Sequence, residues 1–451
     1  GFESLPPRLT IFSRASLMEP NIAGTPDYRQ AYERSNYRLV GKYKHSALKP
    51  CHWLLEKLYT GRDLPLSDPS NRNCYKGYFG IKSEKCIQNT PALPFCTHNC
   101  VFCWRDLEEG NLGPSFSLPA DEPKLLVKEF IRNQLNMLDH HLGADKFLHN
   151  YDIMINIVSS MKQADGKVDI NDFHAKSGES WNRVDDAIVL LKTTEIVDTR
   201  DNIRYCFNPR IDTSLDPEAL LAAYLTTRDE IRRAFASAHE PSHAAISLAG
   251  EPTLYPFIGG LVREFKRRGF TTFIVSNGTM PGVLERMDPL PTQLYITLPP
   301  PDEKMYARIH RPSIQGGYQA IMKTLQVLPS LTCRTCLRIT HVKGINDSTS
   351  GDHVQGLVKL VKMANPSFLE VKGFAVEARA MLLKKRLGLG GDGTKIGESS
   401  GFAPTFEDVI TFAQRLSEAG GFPILEVSKP SRDVLMLVNW PVDKPIKIVA
   451  P

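Results

Sequence analysis

Hydrophobic positions in the second half of the chain alternate between short apolar runs and longer amphipathic segments. Apolar runs of strand length occur at 244–249, 271–276, 294–298, 337–342 and 368–373. Helical spacing of apolar residues follows several of them, as at Ile258, Leu261, Val262 and Phe265. Strands that alternate with amphipathic helices predict a parallel sheet covered by helices. With one strand before residue 96, the pattern predicts about six units, an α/β fold of the partial (β/α)6 TIM-like barrel type.

The remaining segments predict how the chain is divided. Residues 1–45 lack a sustained hydrophobic period, which predicts an extended N-terminal arm. We expect residues 46–95 to form a cysteine-bearing N-terminal extension together with the first barrel strand. Residues 96–440 predict the barrel, and 441–451 a tail. An insertion is predicted at about 145–215, with strand-like apolar runs at Ile153–Val158 and Ala187–Leu191. A helix at 121–143 precedes it, and a helix at 405–419 with two closing strands ends the core.

Composition narrows the class of protein. The 451 residues are 42% hydrophobic, enough for a large core, and no apolar run approaches the ~20 residues that span a bilayer. The net charge of +5 does not establish a nucleic-acid partner. Nine cysteines, an odd number in a long chain, argue against a secreted disulfide framework and for a reducing compartment. We expect a cytoplasmic protein; Arg8 and Arg14 leave a mitochondrial matrix location as the alternative.

Three cysteines form the most informative motif, Cys96-Thr-His-Asn-Cys100-Val-Phe-Cys103. A four-iron cluster held only by protein needs four thiolates, so three leave one iron open for chemistry. Structural zinc sites usually use two separated ligand pairs, which this loop lacks. The spacing resembles that of the radical S-adenosylmethionine enzymes. The resemblance implies a 4Fe-4S cluster on Cys96, Cys100 and Cys103, with S-adenosylmethionine on the free iron and Phe102 as an apolar wall beside it.

Three further cysteines, Cys51, Cys74 and Cys86, lie in polar, lysine-rich surroundings before this loop. They predict a second three-thiolate metal site, although free cysteines are often merely buried small apolar residues. A zinc site completed by His52 is a second alternative. Lys76 lies two residues after Cys74. A lysine beside a metal site and away from water loses proton affinity, and its amine can then form a Schiff base with a carbonyl compound.

The order of these motifs resembles the tRNA 4-demethylwyosine synthase family. The resemblance rests on His45-Ser-Ala-Leu-Lys-Pro-Cys51-His-Trp53, Cys74-Tyr-Lys76, Ser83-Glu-Lys-Cys86 and Pro94-Phe-Cys96 through Cys103-Trp-Arg105, and covers roughly 42–110 and 243–440. It implies two 4Fe-4S clusters, the second on Cys51, Cys74 and Cys86, and Lys76 as the Schiff-base lysine. The implied reaction condenses N1-methylguanosine in tRNA(Phe) with two carbons of pyruvate to form the tricyclic base.

Residues after two predicted strands are candidates for the S-adenosylmethionine site. In Gly250-Glu251-Pro252-Thr253, glycine permits close approach and Glu251 offers a carboxylate to an ammonium group. The resemblance assigns this segment to the methionine amino group. Ser276 and Asn277 are placed to bond the ribose, and Arg338 to pair with a carboxylate. Asn277-Gly278 as a simple turn and Arg338 as a structural ion pair remain alternatives.

The expected partners are the methylated tRNA(Phe), pyruvate and an electron donor. Eukaryotic members of the family often carry an N-terminal flavodoxin domain that has no counterpart in this sequence, so the expectation is either a separate flavodoxin-type or other donor, or a sequence that is part of a longer protein. We expect a monomer with no membrane partner. Two other functions stay open: a radical enzyme acting on another RNA base or a protein, and a non-enzymatic zinc or iron tRNA-binding protein.

Overall fold

The computed structural model describes residues 28–62, 64–66, 68, 71, 73–347, 351–376, 378–390, 399–441 and 443–448. Residues 1–27 of the predicted arm therefore lie outside the described residues. The described chain divides into two compact units. The smaller contains the described residues between 52 and 64 together with 135–240, and the larger contains the rest.

The described strands are short, and most of them belong to the larger unit. They are β1 (Arg38–Val40), β2 (Ser46–Leu48), β3 (Cys86–Thr90), β4 (Lys167–Asp169), β5 (Val197–Thr199), β6 (Arg204–Phe207), β7 (His243–Ile246), β8 (Thr271–Ser276), β9 (Gln293–Thr297), β10 (Arg334–His341), β11 (Phe368–Gly373), β12 (Ile424–Ser428) and β13 (Asp433–Leu437).

The described α-helices follow the strands of the larger unit and dominate the smaller one. They are α1 (Tyr28–Arg34), α2 (His52–Thr60), α3 (Pro123–Met137), α4 (Ala144–Gln163), α5 (Ile170–Ser177), α6 (Trp181–Thr193), α7 (Pro217–Tyr224), α8 (Arg228–Ala238), α9 (Ile258–Arg267), α10 (Pro281–Glu285), α11 (Glu303–His310), α12 (Gly317–Val327), α13 (Gly351–Ala364), α14 (Leu383–Arg386) and α15 (Phe406–Gly420). Within these described segments, no helix is both long and apolar enough to cross a membrane.

The larger unit is built on one sheet with the strand order β1-β2-β3-β7-β8-β9-β10-β11-β13-β12. In the run β3-β7-β8-β9-β10-β11 each strand is parallel to the next, which makes six parallel strands. Antiparallel pairs flank them, β1 and β2 on one side and β13 and β12 on the other. This confirms the predicted α/β fold, a partial TIM-like barrel, and both closing strands.

Parallel strands are apolar on both faces when both faces are covered. One face packs on helices such as α9, whose buried residues Ile258, Leu261, Val262 and Phe265 are the predicted ones. The other, inner face carries a cluster with members on β3, β7, β8, β9, β10 and β11. A 3₁₀ helix, Tyr75–Phe79, packs its Tyr75, Tyr78 and Phe79 against that cluster. The segment before β3 therefore closes part of the inner face.

Residues 28–45 correct the predicted N-terminal arm. They do not form a separate arm: they contain the helix α1 and the strand β1, and β1 pairs with β2 of the main sheet. Tyr32 and Tyr37 are buried and pack edge-to-face with ring centroids 5.1 Å apart. Only a few apolar residues anchor this segment, which is too few to produce a visible period.

The smaller unit corrects the predicted strand-like runs of the insertion. Ile153–Val158 lies inside the 20-residue helix α4, and Ala187–Leu191 lies inside α6. In α4 the buried residues Tyr151, Met154, Ile157, Val158 and Met161 recur at helical spacing. The strands of this unit are instead β4, β6 and β5, which form a separate antiparallel sheet.

Replacing Phe79 by alanine should destabilise the larger unit. Phe79 is fully buried, its ring lies 5.3 Å from that of Phe368, and the Arg334 guanidinium lies 4.9 Å from its centroid. Removing such a side chain leaves a cavity and costs about 3–5 kcal/mol. Urea unfolding should show this loss, whereas Phe257→Ala, at a 44% exposed position, should change stability by less than about 0.5 kcal/mol. Equal effects of the two changes would contradict the proposed packing.

Candidate active site

The loop that carries Cys96, Cys100 and Cys103 follows β3, at the carboxyl end of the parallel strands. Its backbone is fixed by hydrogen bonds from Cys96 N to Gly113 O (3.0 Å) and from Val101 N to Ile309 O (2.9 Å). Active sites of barrel folds lie at this end of the strands. The loop therefore occupies the position at which the fold normally places chemistry.

The three thiols of this loop lie close enough together to influence one another. All nine cysteines fall within the described residues, and none of them forms a disulfide bond. Burial raises the pKa of the Cys100 thiol well above its ordinary value, and the neighbouring Cys103 and Cys96 raise it further. Burial likewise raises the pKa of Cys96 to about 11. Three grouped, half-buried thiols fit an iron–sulfur cluster, because a bound metal stabilises their thiolate forms.

Aromatic and imidazole rings line one side of the same loop. Phe102 packs edge-to-face against His310 with centroids 5.6 Å apart. Cys100 Sγ lies 3.4 Å from His310 Nδ1, and His98 Nε2 lies 2.7 Å from the Tyr306 hydroxyl. Ligand atoms of His98, Cys100 and His310 all lie within 4.8 Å of one another. Sequence reasoning did not assign His98 or Tyr306 to the site, since the contact joins residues 208 positions apart.

The turn Gly250–Thr253 packs directly on the start of the cysteine loop. Gly250 has φ +73°, and a Cβ there would lie 2.0 Å from the Ala92 carbonyl oxygen. Glu251 N donates to Phe95 O at 2.8 Å. Gly250 is thus required for close approach between two backbone segments. Pro252 and Thr253 are buried in the short 3₁₀ helix Pro252–Leu254.

The Glu251 carboxylate is bound by the chain itself. It is 2% exposed and accepts hydrogen bonds from Thr253 N (3.1 Å), Thr253 Oγ1 (2.5 Å), Ser276 Oγ (2.8 Å) and Asn277 N (2.7 Å). Burial raises the pKa of Glu251, while these hydrogen bonds act in the opposite direction. Its observed role is to join the turn to the end of β8. Contact with a substrate ammonium stays a prediction.

Asn277 extends this connection to the cysteine loop. Its Nδ2 donates to Thr97 Oγ1 at 2.8 Å and lies 3.7 Å from Cys96 Sγ. Its Oδ1 accepts from the backbone N–H of Thr279 at 3.0 Å. The structure therefore brings together the cysteine loop, the turn 250–253 and residues Ser276 and Asn277. The roles of Ser276 and Asn277 toward a ribose stay predictions.

Cys74, Lys76 and Cys86 form a second group on the inner face of the sheet. Cys86 begins β3, and Cys74 immediately precedes the 3₁₀ helix that contains Lys76. Lys76 is buried, with its Nζ 5.6 Å from the Tyr75 ring and 5.9 Å from the Phe273 ring. The lysine thus lies between the two cysteines and two aromatic walls.

Cys51 follows β2, the strand that pairs with β3. β2 and β3 are antiparallel, with Leu48 opposite Asn89 and Lys49 N donating to Gln88 O at 3.3 Å. β2 ends at Leu48 and α2 begins at His52, so the place of Cys51 beside Cys74 and Cys86 stays a prediction. At ~3.3 Å per residue, Cys86 and the carboxyl end of β3 are separated by about 13 Å. The two cysteine groups therefore lie toward opposite ends of one strand.

Two opposing effects act on the pKa of Lys76. Burial alone lowers it, but Tyr75, Cys74 and Cys86 raise it once they are ionised, and the net shift is above the ordinary value. The loss of proton affinity expected beside a bound metal stays a prediction.

Arg338 belongs with the Lys76 group by its contacts. Its Nε lies 2.6 Å from Glu370 Oε1, and its Nη2 donates to the Tyr75 hydroxyl at 2.7 Å. The predicted pairing with a carboxylate is therefore present within the protein, as the structural alternative anticipated. A contact between Arg338 and S-adenosylmethionine stays a prediction.

Comparison with known proteins places this site in a family. The sequence profile described as the Radical SAM superfamily matches residues 204–355, a range that contains the turn 250–253, the end of β8 and Arg338. The chain is 32% identical over 411 residues to the S-adenosyl-L-methionine-dependent tRNA 4-demethylwyosine synthase of Pyrococcus abyssi, covering 90% of this chain and 87% of that protein. The chain belongs to the tRNA 4-demethylwyosine synthase family.

Two further comparisons agree with this family. The synthase of Pyrococcus horikoshii is 31% identical over 413 residues, covering 90% of this chain and 87% of that protein. A solved structure described as TYW1 with a lysine-pyruvate adduct bound has a TM-score of 0.57 at 24% identity, covering 93% of this chain and 98% of that chain. The tRNA 4-demethylwyosine synthase family thus shares the partial barrel. Its radical SAM membership implies a 4Fe-4S cluster and S-adenosylmethionine.

Replacing Glu251 by glutamine should lower the free energy of unfolding, although the two side chains have the same shape. Each carboxylate oxygen accepts a backbone N–H, from Thr253 on one side and Asn277 on the other. An amide has one acceptor, so one N–H would face an NH₂ group, at a cost of about 1–3 kcal/mol. Urea unfolding measures the loss. Glu285→Gln, at an exposed position, is the matched control and should be neutral. A neutral Glu251→Gln would show that the carboxylate does not join the two segments.

Proposed function

We propose that this chain is a tRNA 4-demethylwyosine synthase, which condenses N1-methylguanosine of tRNA(Phe) with two carbons of pyruvate. One observation carries the proposal. The grouped thiols of Cys96, Cys100 and Cys103 lie at the carboxyl end of the strands, and the buried Lys76 lies between Cys74 and Cys86 on the inner face of the same sheet. The family membership supports the same reaction.

Cys96, Cys100 and Cys103 would hold the radical cluster. When bound, the cluster and S-adenosylmethionine supply the one-electron chemistry that removes a hydrogen atom from the N1-methyl group. The chain contributes orientation: Asn277 and Thr97 fix the loop against β8, and the buried turn 250–253 forms the adjacent wall. The base would be splayed from the anticodon loop to reach this end of the barrel, as single-stranded RNA bases commonly are.

Cys51, Cys74 and Cys86 would hold a second 4Fe-4S cluster with one iron open to a small oxyacid. After its ammonium group loses a proton, the neutral Lys76 amine would attack the keto carbon of pyruvate, and loss of water would then give the Schiff base. The rings of Tyr75 and Phe273 shield the amine from bulk solvent. A protein of the same fold is described with a lysine-pyruvate adduct, which supports this assignment.

The proposal also covers the electron donor and the oligomeric state of the enzyme. A separate flavodoxin-type or other donor would reduce the radical cluster, and the enzyme would act as a cytoplasmic monomer. Electron transfer between proteins requires only a transient contact, so no large permanent interface is expected.

Metal analysis should separate the proposal from its rivals. Anaerobically purified wild-type protein should hold about eight irons and eight sulfides, because two cubanes contain four of each. Cys86→Ser should lose about half of both, and Cys206→Ser, at an exposed thiol, should lose none. Zinc in place of iron at the second site would favour the non-enzymatic tRNA-binding protein.

Lys76→Ala should abolish product formation and pyruvate attachment. Incubation with pyruvate and cyanoborohydride should add one reduced adduct to the wild type, as measured by intact mass, and none to Lys76→Ala. Lys82→Ala, at an exposed lysine of the same segment, should behave as the wild type.

Product formation is measured by nucleoside analysis of methylated tRNA after incubation with the enzyme, pyruvate and a reductant. Full activity of Lys76→Ala would refute the Schiff base. A radical reaction without pyruvate consumption would favour another base or a protein as substrate.

A further inference from the structure

Arg105 is a buried cation beside the cysteine loop to which the proposed reaction assigns no role. It lies two residues after Cys103, is 1% exposed, and is one of the largest fully buried side chains among the described residues. Arginine stays charged in proteins and is almost never fully buried unless it is paired. A buried guanidinium therefore calls for a partner.

The described contacts satisfy only part of this side chain. The Arg105 backbone N–H donates to Cys103 Sγ at 3.4 Å, and its Nη2 donates to the His98 carbonyl oxygen at 3.4 Å. Since His98 lies between Cys96 and Cys100, the side chain reaches from one end of the loop to its middle. Its Nε and Nη1 have no hydrogen-bond partner among the residues that the structure describes.

The surroundings of Arg105 indicate the chemistry of the missing partner. The side chain lies against the cysteine loop through its contact with the His98 carbonyl oxygen, and in the described part of the chain no carboxylate forms an ion pair with it. Its free N–H groups therefore need an acceptor of negative charge, which thiolates that hold a cluster would supply.

We propose that Arg105 is a positioning residue for the radical cluster, donating its free N–H groups to cluster sulfur and stabilising the reduced state. This inference rests on the proposed function, because it requires a cluster on Cys96, Cys100 and Cys103. Reduction adds one electron, supplied by a one-electron reductant such as dithionite, and increases the negative charge of the cluster. A buried cation and N–H···S hydrogen bonds favour that state and raise the reduction potential.

A purely structural role for Arg105 makes a different prediction. If the guanidinium only tied the loop to the His98 carbonyl, its loss would lower cluster content or thermal stability. The potential of those clusters that still assembled would be unchanged. The reduction potential therefore distinguishes the two roles.

The test is an EPR-monitored redox titration of the reconstituted holoenzyme. Arg105→Gln should shift the reduction equilibrium about tenfold toward the oxidised cluster, equivalent to about 59 mV for one electron. Arg105→Lys keeps the charge and should stay closer to the wild type. Arg308→Gln removes an exposed arginine and should leave the potential unchanged. Loaded Arg105→Gln with the wild-type potential would overturn the inference while leaving the proposed function intact.

A second measurement uses the wild-type protein, so it tests the inference even if the Arg105 variants fail to assemble a cluster. Protein labelled with ¹⁵N-guanidino arginine, reduced and bound to S-adenosylmethionine, should show ¹⁵N coupling to the cluster spin in pulsed EPR. Absence of that coupling overturns the role of Arg105. Absence of any cluster on Cys96, Cys100 and Cys103 in the wild type overturns the proposed function as well.

Discussion

One buried carboxylate, that of Glu251, holds the proposed active site together. It accepts hydrogen bonds from the turn that follows β7 and from the end of β8, and the backbone N–H of the same residue donates to Phe95, just before the cysteine loop. Asn277 continues this connection to Thr97. Three segments far apart in sequence are thereby fixed at the carboxyl end of the sheet. Their mutual geometry is set by the protein alone, as a site that must orient a cofactor and a base requires.

The inner face of the sheet carries several buried ionisable side chains. Glu370 and Asp433 are fully buried, Arg338 pairs with Glu370, and Lys372 lies 3.8 Å from Asp433. Burial and the proximity of Glu370 raise the pKa of Asp433 well above its ordinary value. Buried ion pairs rarely repay the cost of removing their charges from water, so their presence here is weak evidence for a contribution to stability.

The sequence predicted the structure correctly where the local hydrophobic pattern determines the type of element. Each of the parallel strands β7 to β11 is a short apolar run followed by a helix, so these five strands and both closing strands could be predicted from periodicity. The strand predicted for Ile153–Val158 was wrong, because a buried strand and a buried helix can contain the same short apolar run. The contact of His98 with Tyr306 joins residues 208 positions apart, and no local signal in the sequence records it.

The central claim is that two iron sites face one side of the same curved sheet. Iron-edge anomalous diffraction from anaerobic crystals of the reconstituted protein tests it most directly. The account predicts two cubane peaks on the inner side of the sheet, one at the carboxyl end of the strands beside Cys96, Cys100 and Cys103 and the other beside Cys51, Cys74 and Cys86, with Lys76 next to the second. A single iron peak, or a second metal on the outer, helix-covered face, would contradict it.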